Sequence, residues 1–389
     1  MSAKNLEIQK FLETFKTPEE ANEALVSNYN IDVKEQYLKF NNNTKERVWL
    51  YNYNIINSRG DNSLENEARC LILNDKFDIV SMSFKRFFNV NEPYAAPINW
   101  NKAWAEYKND GSLINIYRYN NTFFIQTRRT CDASARLMAG VTYREAVIET
   151  LKKILGSCYA EPFRKEGDNY CWSFEYVSPY NRIVTPYEKD DLILLSIFDK
   201  NKACEIEPDI VDDLAFKYGF TRPDIYEIGG VKDCISLCEA MDPMEEGIVV
   251  VDNFQRRIKI KNIRYLKIGY VVGGFKAPRK FAEAVLSGDT KEILSYRPEF
   301  KKIFSVFESV LNDIIKEVLS IWRINKDISS RKNFANIVKR YKLSGILFAL
   351  YDGRIDCIGD IIDRIKPKLL VDETELRRER EFNEFFYRR

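Results

Sequence analysis

The chain has 389 residues and a formal net charge of only +2, and its 45% hydrophobic and 30% charged residues are typical of folded globular proteins rather than disordered ones. It contains no histidine, which excludes Ser-His-Asp and Cys-His catalysis and histidine-ligated zinc enzymes. It also lacks the Gly-x-x-x-x-Gly-Lys-Ser/Thr motif of P-loop kinases and any apolar run of about 20 residues that could cross a membrane.

The N-terminal segment and the cysteines indicate a compartment. The segment lacks the apolar core of a signal peptide, so we expect a cytoplasmic protein with no membrane association. The cysteines follow no zinc-binding spacing, and in a reducing compartment we expect free thiols. They are Cys70, Cys131, Cys158, Cys171, Cys204, Cys234, Cys238 and Cys357.

Residues 1–45 are predicted to form one or two helices. Apolar residues recur at helical spacing from Leu6 to Phe15, and Thr17-Pro18 is typical of a helix start. Short strands are predicted after them, at 48–56, 67–73 and 79–82.

Two arginines border these strands, Arg69 and Arg86. Either could be a solvated surface charge. However, Arg86 is followed by Phe87 and Phe88, and cations packed against aromatic rings serve phosphate or base contacts as well as capping ordinary cores. Both arginines are therefore candidates for anion binding.

The stretch Lys108-Asn109-Asp110-Gly111 follows an aromatic and apolar run at 103–107 and precedes a hairpin with arms at 113–119 and 122–128. A lysine at a strand end, with an aspartate two residues later and a glycine that allows close backbone approach, is suited to attack on a nucleotide phosphate. The same residue types also make ordinary polar turns. Lys108 is thus a candidate nucleophile. Whether it is a nucleophile or part of an ordinary polar turn depends on motifs elsewhere in the chain.

A helix is predicted over 134–155, and the strand that follows, 172–177, places Glu175 between two aromatic residues. A buried carboxylate needs a partner or a bound cation, whereas strand alternation could equally direct this side chain to solvent. Both alternatives stay open. The next predicted elements are an apolar strand at 192–198 and helices at 209–218 and 231–241.

A second hairpin combines acidic and basic residues. Glu246 ends an acidic pair that precedes a buried strand at 248–251, and the return strand at 257–261 carries Lys259 and Lys261 on one face by period two. These lysines form either a solvated outer face or a pair of cations that faces a phosphate-bearing cleft.

The β pattern ends near residue 270. Amphipathic helices are predicted over most of 275–365, followed by a charged tail at 373–389 with interleaved aromatic residues. The predicted fold class is α+β, with an antiparallel-sheet domain at 1–270 and an all-helical C-terminal domain at 271–389.

Taken in order, four segments resemble the motifs of the covalent nucleotidyltransferases, which include DNA and RNA ligases and mRNA capping enzymes. Each match is weak alone, and the ordered set is strong. The segments are Lys108-Asn109-Asp110-Gly111, the Glu175 strand, Glu246-Gly247 and Lys259-Ile260-Lys261.

Within that superfamily, the closer resemblance is to the bacteriophage-type ATP-dependent RNA ligases of the first type, the tRNA-repair ligases. It covers about 50–270 and, more loosely, the helical region. Two positions depart from the family pattern: Arg86 stands where a lysine is expected, and the basic position in the second hairpin arm is Arg128, which keeps the charge but changes its geometry. The supporting segments are Glu67-Ala68-Arg69, Phe87-Phe88-Asn89-Val90-Asn91-Glu92, Phe174-Glu175-Tyr176-Val177 and Asn181-Arg182-Ile183-Val184.

The resemblance implies that neutral Lys108 attacks the α-phosphorus of ATP, which gives a lysine-AMP phosphoramidate and releases pyrophosphate. The pKa of Lys108 would have to be lowered by Lys259, Lys261 and a bound metal ion, because an ammonium group cannot attack. The same two lysines would neutralise charge that develops on the α-phosphate.

The other residues have implied roles as well. A hydrated Mg²⁺ or Mn²⁺ would be held by Asp110, Glu175 and Glu246, with a ribose contact as the alternative role of Glu175. The outgoing phosphates or the RNA 5′-phosphate would be bound by Arg69, Arg86 and Arg128.

The implied reaction transfers AMP to an RNA 5′-phosphate, and a 3′-hydroxyl then displaces AMP to seal the strand. By the same resemblance we expect nicked tRNA as the substrate and a C-terminal domain that acts as a tRNA-specificity module. We also expect a monomer, the host cytoplasm for a viral chain and, because the sequence has no kinase motif and no histidine, a separate end-healing enzyme. Alternatives are a DNA ligase or a capping guanylyltransferase, disfavoured because those carry a β-rich barrel after the last motif, and a non-catalytic RNA-binding protein on the same fold.

Overall fold

The structure is a computed structural model that describes residues 4–54, 57–137, 140–272, 277–355 and 357–387. The chain divides into two compact units, residues 1–265 and residues 266–389. The boundary predicted from the sequence lies at 270/271.

The strands found in the described residues lie in unit 1 and form three sheets. They are β1 (Ile31–Lys39), β2 (Lys45–Tyr53), β3 (Leu71–Asn74), β4 (Ile79–Ser81), β5 (Phe88–Asn89), β6 (Ala103–Tyr107), β7 (Ser112–Tyr119), β8 (Thr122–Thr127), β9 (Tyr170–Val177), β10 (Asp191–Asp199), β11 (Cys204–Glu205), β12 (Ile225–Glu227), β13 (Gly247–Asp252) and β14 (Arg257–Lys261). The first sheet has the order β1-β2-β3-β4, the second β11-β10-β9-β7-β8 and the third β12-β6-β13-β14-β5. The strands pair antiparallel, except that β14 and β5 are parallel. The predicted α+β class with antiparallel sheets is confirmed.

Helices pack against these sheets. They are α1 (Glu7–Leu12), α2 (Pro18–Asn28), α3 (Ser63–Glu67), α4 (Tyr143–Leu155), α5 (Glu161–Lys165), α6 (Pro208–Tyr218) and α7 (Val231–Ala240). A further helix, α8 (Ile263–Val272), includes the boundary between unit 1 and unit 2. The core of the second sheet forms where Val147 and Leu151 of α4 meet Trp172 and Phe174 of β9. The two cysteines of α7, four residues apart, are buried against β13 and β14 and are free thiols. Their spacing reflects one apolar helix face.

Three predicted elements differ from the structure. The strand predicted at 67–73 begins only at Leu71, because Glu67 is the last residue of α3. Residues 31–39, predicted to be helical, form β1, an edge strand whose Ile31 is buried while much of the rest is half-buried or exposed, so alternation is weak. The helix predicted over 134–155 begins at Tyr143, because Thr142 and Glu145 form a capping box that starts it there. Of that prediction, 138–139 lie outside the described residues, as do 55–56 of the strand predicted at 48–56.

The described part of unit 2 is built from helices. They are α9 (Pro278–Ser287), α10 (Thr290–Tyr296), α11 (Lys301–Asn325), α12 (Arg331–Val338), α13 (Ser344–Tyr351), α14 (Ile358–Asp363), α15 (Pro367–Arg377) and α16 (Glu379–Phe386). Phe382 and Phe386 of the charged tail are buried and pack on Phe281 and Phe307. These two tail aromatics thus contribute to the core of this unit. None of the described helices in either unit combines the length and apolarity that crossing a membrane requires.

Candidate active site

Lys108 lies where the chain passes from the third sheet to the second. Its backbone N–H donates to Gly247 O (2.9 Å) just after β6 ends, and β7 begins four residues later, at Ser112. Gly111 sits between them, and a Cβ there would collide with the carbonyl oxygen of Tyr176 on β9. Glycine is therefore required for the close passage that brings the two sheets together at Lys108.

Glu246 connects two lysines. Its Oε2 lies 2.6 Å from Lys108 Nζ and its Oε1 lies 2.7 Å from Lys261 Nζ. The β13–β14 register explains the second contact, because Gly247 pairs with Lys261 across the hairpin. Burial would raise the pKa of Glu246, but the charges of the two lysines outweigh burial and lower it.

The protonation of Lys108 differs from the expectation. Burial alone would lower the pKa of Lys108, but the charge of Glu246, with those of Glu175 and Asp110 and the hydrogen bond to Glu246, raises it above the ordinary lysine value. In the substrate-free protein the direct contact with Glu246 therefore outweighs Lys259 and Lys261, and the predicted lowering of the pKa, which includes a bound metal ion, stays a prediction. In this state Lys108 is an ammonium group whose nitrogen lone pair is not available.

Glu175 lines the same cleft from β9. Its Oε1 accepts a hydrogen bond from the Gly111 N–H (3.1 Å), and its side chain is half-buried. Burial, together with the charge of Glu246, raises the pKa of Glu175 to about 7, although the charge of Lys108 acts in the opposite direction. Of the two alternatives for this residue, a side chain with partners in the cleft is the one observed.

Asp110 is engaged by hydrogen bonds. Its Oδ2 accepts from the backbone N–H groups of Val184 (2.8 Å) and Thr185 (2.9 Å), and its Oδ1 accepts from the Tyr265 hydroxyl (2.8 Å). It ties a loop and the first turn of α8 to the Lys108 segment. Within the described ranges, no three acidic or cysteine side chains are grouped so that they could hold a metal ion. A metal role for Asp110 stays a prediction.

The three predicted arginines rest on aromatic rings. Arg69 lies over Phe84 (4.2 Å to the ring centroid), and both Arg86 (4.2 Å) and Arg128 (4.4 Å) lie over Tyr53. No ion pair joins these guanidinium groups to any carboxylate of the described chain. Arg69 and Arg86 line the cleft, whereas Arg128 is not among its lining residues. Guanidinium groups that lack an acidic partner are suited to binding phosphate.

Lys259 faces the cleft without an ion pair to any described residue, and its Nζ lies 5.7 Å from the centroid of the Phe87 ring. Burial and the charges of Lys261 and Lys108 lower the pKa of Lys259 to about 8, against a smaller opposing effect of Glu92. The cleft as a whole encloses about 230 Å³.

Sequence reasoning missed several residues of this site. Arg257 continues the alternation of Lys259 and Lys261, so its orientation toward the cleft could have been inferred; it forms two 2.6 Å hydrogen bonds to Glu205. Tyr53 offered no signal, because its position under two arginines depends on the pairing of β2 with distant segments. Tyr265 belongs to α8, far along the chain from Asp110.

Residues 67–265, about half of the chain, match the model of a family described as RNA ligase. The chain is 28% identical over 298 residues to a protein of Autographa californica nuclear polyhedrosis virus whose name describes a bifunctional polynucleotide kinase/RNA ligase. That match covers 72% of this chain and 42% of the viral protein, so the chain spans less than half of that relative. It is 22% identical to an RNA ligase of Rhodothermus phage RM378 over 76% of this chain and 82% of that protein.

Two solved structures show weaker similarity. An archaeal ATP-dependent RNA ligase aligns with a TM-score of 0.46 and 12% identity over 70% of this chain and 69% of that one. An RNA ligase of Naegleria gruberi with pyrophosphate aligns with a TM-score of 0.35 and 16% identity over 43% and 51%.

Proposed function

The chain belongs to the RNA ligase family, and from that premise we propose that it is an ATP-dependent RNA ligase that works through a lysine-AMP intermediate. The observation that carries the proposal is the cleft in which Lys108, Glu246 and Lys261 are in direct contact. A reactive lysine, a buried carboxylate and further cations around one cavity suit nucleotidyl transfer, since the attacking amine and the phosphate charge both need partners.

In the first step, the Lys108 amine attacks the α-phosphorus of ATP, a nitrogen–phosphorus bond forms, and the bond to pyrophosphate breaks. Lys108 first has to lose a proton, and Glu246 Oε2, at 2.6 Å, is placed to take it. Lys259 and Lys261 remain near the phosphate and neutralise its developing charge. Arg69 and Arg86 bind the leaving pyrophosphate or the incoming RNA 5′-phosphate, and Arg128 supports Arg86 through Tyr53.

A divalent metal ion suits the carboxylates of this cleft. Glu246 raises the pKa of Glu175, so the two carboxylates disfavour each other's ionised form, and a nearby cation would relieve this repulsion. Asp110 could contact the metal ion only by giving up hydrogen bonds. We therefore propose that Glu175 and Glu246 would be the main residues to hold the ion, through metal-bound water. When bound, Mg²⁺ or Mn²⁺ supplies positive charge that offsets Glu246 and the α-phosphate.

The later steps concern the RNA. AMP passes from Lys108 to the RNA 5′-phosphate, and the 3′-hydroxyl of a second end displaces AMP and forms the phosphodiester. We propose that unit 2 helps to select nicked tRNA. That idea rests on the family resemblance alone, because Phe382 and Phe386 of the tail are buried and are not available to RNA. Unequal sealing rates for nicked tRNA and a linear strand of the same ends would support it, and equal rates would contradict it.

We further propose a cytoplasmic monomer whose substrates are healed by another protein. The viral relative's name combines kinase and ligase in one chain, whereas the present chain aligns with 42% of that protein and carries no P-loop motif. Assays with ends already bearing a 5′-phosphate should therefore succeed, and assays with 5′-hydroxyl ends should fail.

The central test uses ATP labelled at the α-phosphate, with Mg²⁺, followed by denaturing electrophoresis. Wild type and a Lys152→Ala control, which alters an exposed lysine of α4, should retain label, and Lys108→Ala should not. Label on Lys108→Ala, or none on wild type, would overturn the proposed function.

A further inference from the structure

A second concave surface lies directly beside the nucleotide cleft. It encloses about 450 Å³ and shares four lining residues with the cleft, so the two cavities adjoin. The shared residues are Phe84, Arg86, Phe87 and Arg257. We call this surface the aromatic groove; its outer part is lined by Tyr94, Phe254, Lys85 and Arg256.

Two aromatic side chains of the groove are exposed. Phe254 is 66% exposed and Tyr94 is 44% exposed. Phe254 lies in the tight turn between β13 and β14, where Asp252 Oδ1 accepts from the N–H groups of Phe254 and Arg256 (3.0 Å each). These hydrogen bonds within the turn fix its conformation. The Phe254 side chain is therefore exposed on a rigid turn and is not part of a hydrophobic core. Arg256 lies over its ring, 4.9 Å from the centroid.

The charge of the groove is predominantly positive. Among the described residues that line it, four are cationic and one, Glu205, is anionic, and Glu205 is already bound to Arg257. Lys85 and Arg256 have carboxylate partners, Glu67 and Asp252, yet their side chains remain 55% and 35% exposed. Exposed aromatic rings among cations are the combination that binds single-stranded nucleic acid, with bases stacked on rings and phosphates beside the charges.

We propose that the aromatic groove binds the single-stranded RNA nucleotides next to the 5′-phosphate that reacts in the cleft, with a base stacked on Phe254. This inference rests on the proposed function. Arg86 forms part of the wall between the two cavities, so a terminal phosphate held there would leave its own nucleotides in the groove. Stacking is tolerant of base identity, so the groove binds strands of differing sequence.

The test measures binding of a short, fluorescent, 5′-phosphorylated oligoribonucleotide by anisotropy, without ATP, to wild type and three variants. Phe254→Ala removes the stacking ring, and Phe254→Trp keeps an aromatic surface. Phe216→Ala removes a phenylalanine of α6 that is 91% exposed and lies outside the groove, and serves as the matched control. Self-adenylylation with labelled ATP is measured in parallel on all four proteins.

Phe254→Ala should weaken binding about tenfold, while Phe254→Trp and Phe216→Ala bind as wild type does. Self-adenylylation should be unchanged throughout. Unaltered binding by Phe254→Ala, or an equal loss in Phe216→Ala, would overturn the inference. Absence of self-adenylylation in wild type would contradict the proposed function while leaving the binding result readable.

Discussion

Lys108 Nζ lies 2.6 Å from Glu246 Oε2, and the other oxygen of that carboxylate lies 2.7 Å from Lys261 Nζ. One buried carboxylate thus sets the charge of the proposed nucleophile and the position of a neighbouring cation. The pair is stable while no substrate is bound, because separating two buried opposite charges leaves each without compensation. Activation of Lys108 consequently requires that its proton pass to Glu246 before its contact with that carboxylate is exchanged for contacts with ATP.

Replacement of Glu246 by Gln should lower the pKa of Lys108 in the substrate-free protein. The largest of the charges that raise this pKa is removed, whereas burial, which lowers it, remains. Competitive acetylation of Lys108 across a pH series, read by peptide mass spectrometry, measures the change. Glu149→Gln, an exposed carboxylate of α4, should have no effect, and a Lys108 pKa at or above the wild-type value in Glu246→Gln would disprove the argument. Self-adenylylation by Glu246→Gln should nevertheless fall by roughly 100-fold, because the proposed metal contact is lost.

Glu175→Gln should stabilise the substrate-free protein at alkaline pH. The pKa of Glu175 in the folded protein is about 7, above the ordinary glutamate value of the unfolded chain. Wild type therefore loses folding stability as the pH rises through the folded-state pKa. Below the unfolded-state pKa none of this stability is lost. The amide cannot ionise and can still accept the Gly111 N–H. The variant should therefore exceed wild type by about 1–3 kcal/mol at pH 8 and match it near pH 4.

Urea unfolding at the two pH values measures this difference. Glu149→Gln should show no such pH dependence. If Glu175→Gln were less stable than wild type at pH 8, ionised Glu175 would be favourable in the folded state and the assigned direction of its pKa would be wrong.

The parts of this site that could be predicted are those encoded in short segments. The Lys108 motif, the strand that carries Glu175 and the alternation of Lys259 and Lys261 depend on local spacing, and the structure brings these residues to one cleft. The Lys108 pKa could not be predicted, because its direction depends on which charge makes direct contact, and that follows from the β13–β14 register.

Other errors have similar causes. β1 was predicted to be helical because an edge strand with few buried residues has little alternation to detect. The predicted start of α4 lies nine residues too early, although the capping-box spacing of Thr142 and Glu145 marks the observed start. The partners of Asp110 lie about 75 and 155 residues away, beyond any local pattern.

Tyr53→Leu should weaken ATP use by displacing two arginines. Arg86 and Arg128 both rest on this ring, and loss of cation–π support of about 0.5–2 kcal/mol corresponds to a roughly 2- to 30-fold rise in the KM for ATP. Tyr53→Phe keeps the ring and should behave as wild type does. The assay is the initial rate of self-adenylylation against ATP concentration. If Tyr53→Phe and Tyr53→Leu raised the KM for ATP equally, the hydroxyl group of Tyr53, and not its ring, would be the group that matters.

Asp110 should stabilise the fold through its hydrogen bonds as well as being a candidate metal contact. Two substitutions separate these roles. Asp110→Ala leaves two backbone N–H groups and the Tyr265 hydroxyl without an acceptor, so the free energy of unfolding should fall by about 2–4 kcal/mol. Asp110→Asn should lose less than half of that, because the amide oxygen can still accept from the backbone while the Tyr265 hydroxyl reverses and accepts from the amide. Asp213→Ala, an exposed aspartate of α6, is the control for urea unfolding. Wild-type stability of Asp110→Ala would contradict the structural role of Asp110. A stable Asp110→Asn variant that fails in self-adenylylation would instead show that the carboxylate charge takes part in the chemistry. In that variant only the charge, and not the set of hydrogen bonds, would have been removed.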